Sequence, residues 1–109
     1  MARIMIENLF KKTVVANDLS RTLLQHLQDN GIDWMHTCGG KGRCTTCKVI
    51  VTHGLGNFHS PTAAEDRYFQ EGALNNNERL ACQSKISGDV SILAPEEYHL
   101  PHIEYSRVR

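Results

Sequence analysis

Apolar and polar residues alternate over Ala2–Glu7 (ARIMIE) and again over Lys12–Ala16 (KTVVA), with Asn8–Lys11 between them. Successive side chains of a strand face opposite ways, so this period of two predicts a β-hairpin. Leu19, Leu23, Leu24 and Leu27 then recur at helical intervals as one apolar stripe, with Asp18 or Ser20 placed to cap it and Asn30-Gly31 to end it. A helix of about ten residues is not stable alone, so its leucines must pack on the hairpin's inner face. Lys48–Thr52 (KVIVT) is β-branched and predicts a strand, followed by a turn at Gly54, Gly56 and Asn57. Ser60-Pro61 opens a second helix, with Thr62 and Glu65 at capping-box spacing and an end at Gln70 or Glu71. Gly72–Asn77 reads as a loop, Ser84–Ser87 as a connector, and Val90–Leu93 as a closing strand that Pro95 ends. Strand, strand, helix, loop, strand, helix, strand is an α+β pattern in which few strands wrap one main helix.

Length and charge narrow the picture. The 109 residues suit a single domain, 1–109, with a core at about 2–95 and a tail at 96–109 whose structure the pattern does not reveal. Twelve Lys and Arg balance twelve Asp and Glu, so no basic excess points to nucleic acid. Glu7 and Asn8 interrupt the start before a secretory apolar segment can form, and no run approaches the roughly 20 apolar residues of a membrane span. The expectation is a monomeric cytoplasmic protein without membrane insertion. In that reducing setting, clustered cysteines are metal ligands or reactive thiols rather than disulfides.

Three of the four cysteines, Cys38, Cys44 and Cys47, stand at a Cys-x5-Cys-x2-Cys spacing, and Cys82 follows in the phrase Arg79-Leu80-Ala81-Cys82-Gln83. Four thiolates are what one 2Fe–2S cluster needs. Gly39, Gly40 and Gly42 crowd the first gap. Glycine tolerates positive φ and lets backbone N–H groups approach inorganic sulfide, which a loop wrapped around an anionic cluster requires. A structural zinc module is the alternative of another class, but zinc ribbons pair two Cys-x2-Cys knuckles, and here only Cys44 and Cys47 form one. A dithiol redox site wants a helix starting at the pair, whereas Cys47 runs into the β-branched segment. A Rieske centre needs two histidine ligands, and none of the six histidines forms a Cys-x-His or Cys-x2-His pair. No nucleophile–base constellation marks an enzyme.

The Cys38–Val51 stretch, the Pro61…Glu65 helix start and the Arg79–Gln83 phrase together resemble the 2Fe–2S ferredoxin family over about residues 2–95. Plant-type members have one residue fewer in the first gap; the six-residue step from Cys38 to Cys44 is closer to the adrenodoxin-like and bacterial branch. The resemblance implies a β-grasp fold, a mixed sheet packed on one main helix. It implies one 2Fe–2S cluster held by Cys38, Cys44, Cys47 and Cys82 and wrapped by Gly39, Gly40 and Gly42. Cys38 and Cys44 would share the outer iron, Cys47 and Cys82 the inner one. The implied activity is one-electron carriage between a ferredoxin reductase and an acceptor protein, or a redox-sensing or complex-bound role with the tail as the contact. An acidic docking face would fall on Glu65, Asp66, Glu71 and Glu78.

Overall fold

The computed structural model describes residues 2–34, 47–96, 99–101 and 103–106. The alternation at the start becomes β1 (Ala2–Ile6), which buries Ala2, Ile4 and Ile6, and β2 (Lys12–Ala16), which buries Val14 and Ala16. They pair antiparallel, with Ala2 opposite Ala16 and Ile6 opposite Lys12. With β3 (Lys48–His53), β4 (Glu78–Leu80) and β5 (Val90–Leu93) the described residues form a five-stranded sheet of order β2-β1-β5-β3-β4. β1 runs parallel to β5, and β3 is antiparallel to both β5 and β4. The C-terminal ends of β1, β4 and β5 therefore meet the N-terminal end of β3 at one end of the sheet.

Helix α1 (Leu23–Asp29) buries Leu23, Leu24 and Leu27 as the apolar stripe predicts. Its cap differs from expectation. Thr22 accepts from the Gln25 N–H and Gln25 returns the bond to the Thr22 N–H, a complete capping box. Asp18 is engaged instead with the N–H and hydroxyl of Ser20, in a turn ahead of the helix. Those bonds to Ser20, helped by the nearby Arg21 charge, hold the Asp18 carboxyl below the usual aspartate range. Leu19 sits in that turn and packs half-buried against the core.

After β3 the chain turns at Gly54, where φ is +81° and a Cβ would lie 2.4 Å from the Asp89 carbonyl oxygen. Only glycine fits so close an approach in the left-handed region. A short 3-10 turn (Leu55–Asn57) leads to α2 (Ala63–Gln70), which starts with the expected Thr62–Glu65 capping box. The pattern of the sequence does not announce β4: Glu78, Arg79 and Leu80 are all buried, although two of the three are charged.

The tail folds back on the hairpin. Asn8 is buried, and its side chain bonds both ways with the backbone of Ala94, at 2.8 and 2.9 Å, extending the β1–β5 pairing by one step. Ser106 donates its N–H to the Asn8 carbonyl, and its hydroxyl accepts from the Phe10 N–H at 2.9 Å. This braces Phe10 and Lys11, which adopt φ of 56° and 58°. His99 stacks on Tyr105 with ring centroids 3.6 Å apart. Tyr98 and the residues from 107 onward lie outside the described residues.

Candidate metal centre

Cys47 immediately precedes β3 and Cys82 closely follows β4, so the pairing of those strands brings the two together. Lys48 lies opposite Leu80, and the Ala81 N–H donates to the Cys47 carbonyl at 3.1 Å. The two sulfurs are 3.3 Å apart and both cysteines are buried, at 0% and 6% exposure. A disulfide requires about 2.05 Å, so the pair is not bonded. Two thiolates each about 2.3 Å from one metal ion at a tetrahedral angle lie about 3.8 Å apart. The observed spacing is roughly half an ångström shorter, so a small side-chain adjustment would let this pair serve as two ligands on a single metal ion. Cys38, Gly39, Gly40, Gly42 and Cys44 lie outside the described residues. With them set aside, the described residues contain no group of three or more His, Cys, Asp or Glu side chains arranged around a metal.

Several contacts hold the Cys82 segment still. The first helical N–H groups of α1 have no partners within the helix. Leu23 and Leu24 donate theirs to the carbonyls of Ser84 and Ala81, at 2.8 and 2.9 Å. The Gln83 and Ser84 N–H groups both donate to the Leu80 carbonyl at 3.0 Å, and the Ser84 hydroxyl donates to it at 2.7 Å. Trp34 is buried on the other side of the cysteine-rich stretch, and its indole N–H reaches the Lys48 carbonyl at 3.4 Å. That bond pins together the two ends between which residues 35–46 run.

Glu65 is fully buried. It accepts from Arg79 through two nitrogens at 2.7 and 3.0 Å, and from the Leu80 N–H at 3.0 Å. Arg79 also donates to the His59 carbonyl at 2.9 Å and lies over the Phe58 ring. Burial pushes the Glu65 carboxyl upward, but the Arg79 and Leu80 hydrogen bonds and the Arg79 charge outweigh it, and the group ends below the usual glutamate range. Glu78 is buried too, accepting from the Asn75 N–H at 2.6 Å and facing the Lys48 ammonium at 3.5 Å. Two of the four acids expected to form a docking face are thus internal anchors. Asp66 and Glu71 are the exposed pair.

In the sequence Arg79 stands out only as part of the cysteine phrase, and Trp34 not at all. Neither carries a local signal, because each finds its partner fourteen residues away. No helix among the described residues is long and apolar enough to cross a membrane.

The sequence matches the 2Fe-2S iron-sulfur cluster binding domain family over residues 6–87. It is 38% identical over 79 residues to 2Fe-2S ferredoxin-5 of Aquifex aeolicus, covering 70% of this chain and 82% of that protein. It is also 34% identical over 96 residues to one component of the Na(+)-translocating NADH-quinone reductase of Chlamydia muridarum; the match takes in 88% of this chain but only 21% of that component. Among solved structures, the ISC-like [2Fe-2S] ferredoxin FdxB of Pseudomonas putida superposes with a TM-score of 0.72 at 26% identity. That superposition covers 94% of this chain and 98% of the other. The expected β-grasp fold is the one observed.

Proposed function

This chain belongs to the 2Fe–2S iron–sulfur cluster binding family and is a ferredoxin-like electron carrier, and on that premise we propose that Cys38, Cys44, Cys47 and Cys82 hold its cluster. The observation that supports this most directly is the buried Cys47–Cys82 pair, whose sulfurs stand 3.3 Å apart with no bond between them. In this reading Cys47 and Cys82 would hold the inner iron and Cys38 and Cys44 the outer one, and Gly39, Gly40 and Gly42 are the residues whose lack of a side chain would admit the sulfides. The cluster supplies one-electron redox chemistry when bound. The polypeptide fixes ligation: the β3–β4 pairing sets the distance between two of the sulfurs, and α1 clamps the turn carrying Cys82. Burial of both cysteines keeps water from that side of the centre. No substrate pocket is needed, and the chain performs no catalysis of its own.

Residues 1–109 act as a single domain with its core at 2–95, monomeric and cytoplasmic, passing electrons from a ferredoxin reductase to an acceptor protein. The similarity to a stretch of the quinone reductase component favours a second reading, in which the same domain works within a larger redox complex. Iron and acid-labile sulfide analysis tests the first. Two of each per chain, with an EPR signal appearing on reduction, is the expected result; colourless protein carrying zinc overturns it. Alanine at any of the four cysteines should abolish assembly, while Lys85→Ala, an exposed neighbour, should assemble normally.

A further inference from the structure

We infer that the side-chain amide of Gln83 donates a hydrogen bond to the Cys82 sulfur and so raises the reduction potential of the centre. This rests on Cys82 being a ligand, as proposed above. The Gln83 Nε2 lies 3.8 Å from Cys82 Sγ and 3.5 Å from the Cys82 carbonyl oxygen. Sulfur's large radius places the first contact within hydrogen-bond reach, whereas the second is long for a bond to oxygen.

The amide springs from a backbone that is held in place. The Gln83 and Ser84 N–H groups and the Ser84 hydroxyl all converge on the Leu80 carbonyl, and Ser84 in turn receives the Leu23 N–H of α1. The backbone from which the amide springs is therefore fixed on both sides. Cys82 is buried while Gln83 is half-buried, so the amide is a polar group lying against a ligand sulfur that water scarcely reaches.

The electrostatics set the sign. Reduction adds negative charge, part of which falls on the ligand sulfurs. A donor aimed at sulfur stabilises the reduced state more than the oxidised one, and it does so more strongly in a poorly hydrated setting. Removing the donor should lower the potential without removing any ligand.

The test compares purified, cluster-loaded wild type with Gln83→Met, which keeps the length but has no donor, and Gln83→Glu, which keeps the shape but replaces the donor with a carboxylate oxygen. Iron and sulfide content and visible absorption are measured first. Wild type that takes up neither iron nor sulfide ends the parent reading before the variants are compared. With the cluster present, protein-film voltammetry should rank the potentials wild type above Met above Glu. Resonance Raman should show the iron–thiolate stretch at higher frequency in Gln83→Met, because a sulfur relieved of a donor binds iron more strongly. A fully loaded Met variant with the wild-type potential and an unmoved stretch overturns the inference. If Gln83→Met does not assemble, Gln83→Glu decides alone, and an unchanged or raised potential there is equally fatal.

Discussion

Glu65 shows how one side chain serves two purposes that sequence separates. Thr62-x-x-Glu65 is legible as a capping box, and the helix does start there. Nothing local reveals that the same carboxylate also neutralises Arg79 and takes the Leu80 N–H, two residues before Cys82. Glu65→Gln leaves the Arg79 guanidinium buried without a counter-charge, which costs about 3–5 kcal/mol when one partner of a buried pair is removed; urea unfolding at pH 7 measures it. The pH dependence follows from the lowered pKa. A carboxyl depressed in the folded state contributes stability that is present above its unfolded value, near 4.5, and is lost as pH falls through the folded value. Wild type should therefore lose its advantage over Glu65→Gln as the pH drops below about 4.5, so the two unfolding curves converge in acid. At Thr22 the signal is present in the sequence but does not decide: Thr-x-x-Gln is a capping pair, yet Asp18 and Ser20 are equally good caps in isolation. The choice is made by α1 docking its first N–H groups on Ala81 and Ser84.

At the scale of elements, periodicity finds whatever buries apolar side chains at regular intervals. β1, β2, α1, β3 and β5 are legible for that reason, and their boundaries agree with the structure to within a residue or two except at the start of α1, which begins at Leu23 rather than Leu19. β4 is not legible because Glu-Arg-Leu has no alternation; its charged residues are buried by Glu65 and Lys48, which arrive from elsewhere in the chain. Leu27 is fully buried in α1, and Leu27→Ala should cost about 2–5 kcal/mol in thermal or chemical unfolding. Thr22→Ala should cost about 1 kcal/mol. Because α1 clamps the Cys82 turn, both should also speed the bleaching of visible absorbance under chelator. Gly54→Ala should destabilise by more than about 1 kcal/mol, since its Cβ would meet the Asp89 backbone. That change lies at the opposite end of β3 from Cys47 and should leave the visible spectrum as it was.

For the whole molecule, the sheet topology decides what cluster and tail each support. Parallel β1 and β5 beside antiparallel β3 put the cysteine pair and the hairpin connection at the same end of the sheet. Cys47 and Cys82 lie by the β3–β4 edge, and residues 7–11 lie by the β1–β2 edge. The cysteine spacing is legible because ligation demands particular residues; the tail is not, because its apolar residues follow no period. Among the described residues Asn8 and Phe10 at the hairpin turn and Ala94 at the end of the central strand β5 are its docking points, and none of these bonds involves Cys47 or Cys82. The two supports should therefore separate by experiment. If the proposed ligation holds, stripping the cluster would remove a tie between Cys82 and the other three cysteines, so apoprotein should unfold at much lower denaturant than the loaded form. Truncation after Pro95 removes the few hydrogen bonds that brace the hairpin turn, a loss on the order of 2 kcal/mol, with visible and EPR spectra intact. If the truncated carrier also keeps its rate with a small-molecule oxidant such as ferricyanide but loses it with a protein acceptor, the tail belongs to partner recognition, as the complex-bound reading requires. Unchanged rates with both would leave the tail a brace for Phe10 and Lys11, and the freely diffusing carrier as the better description.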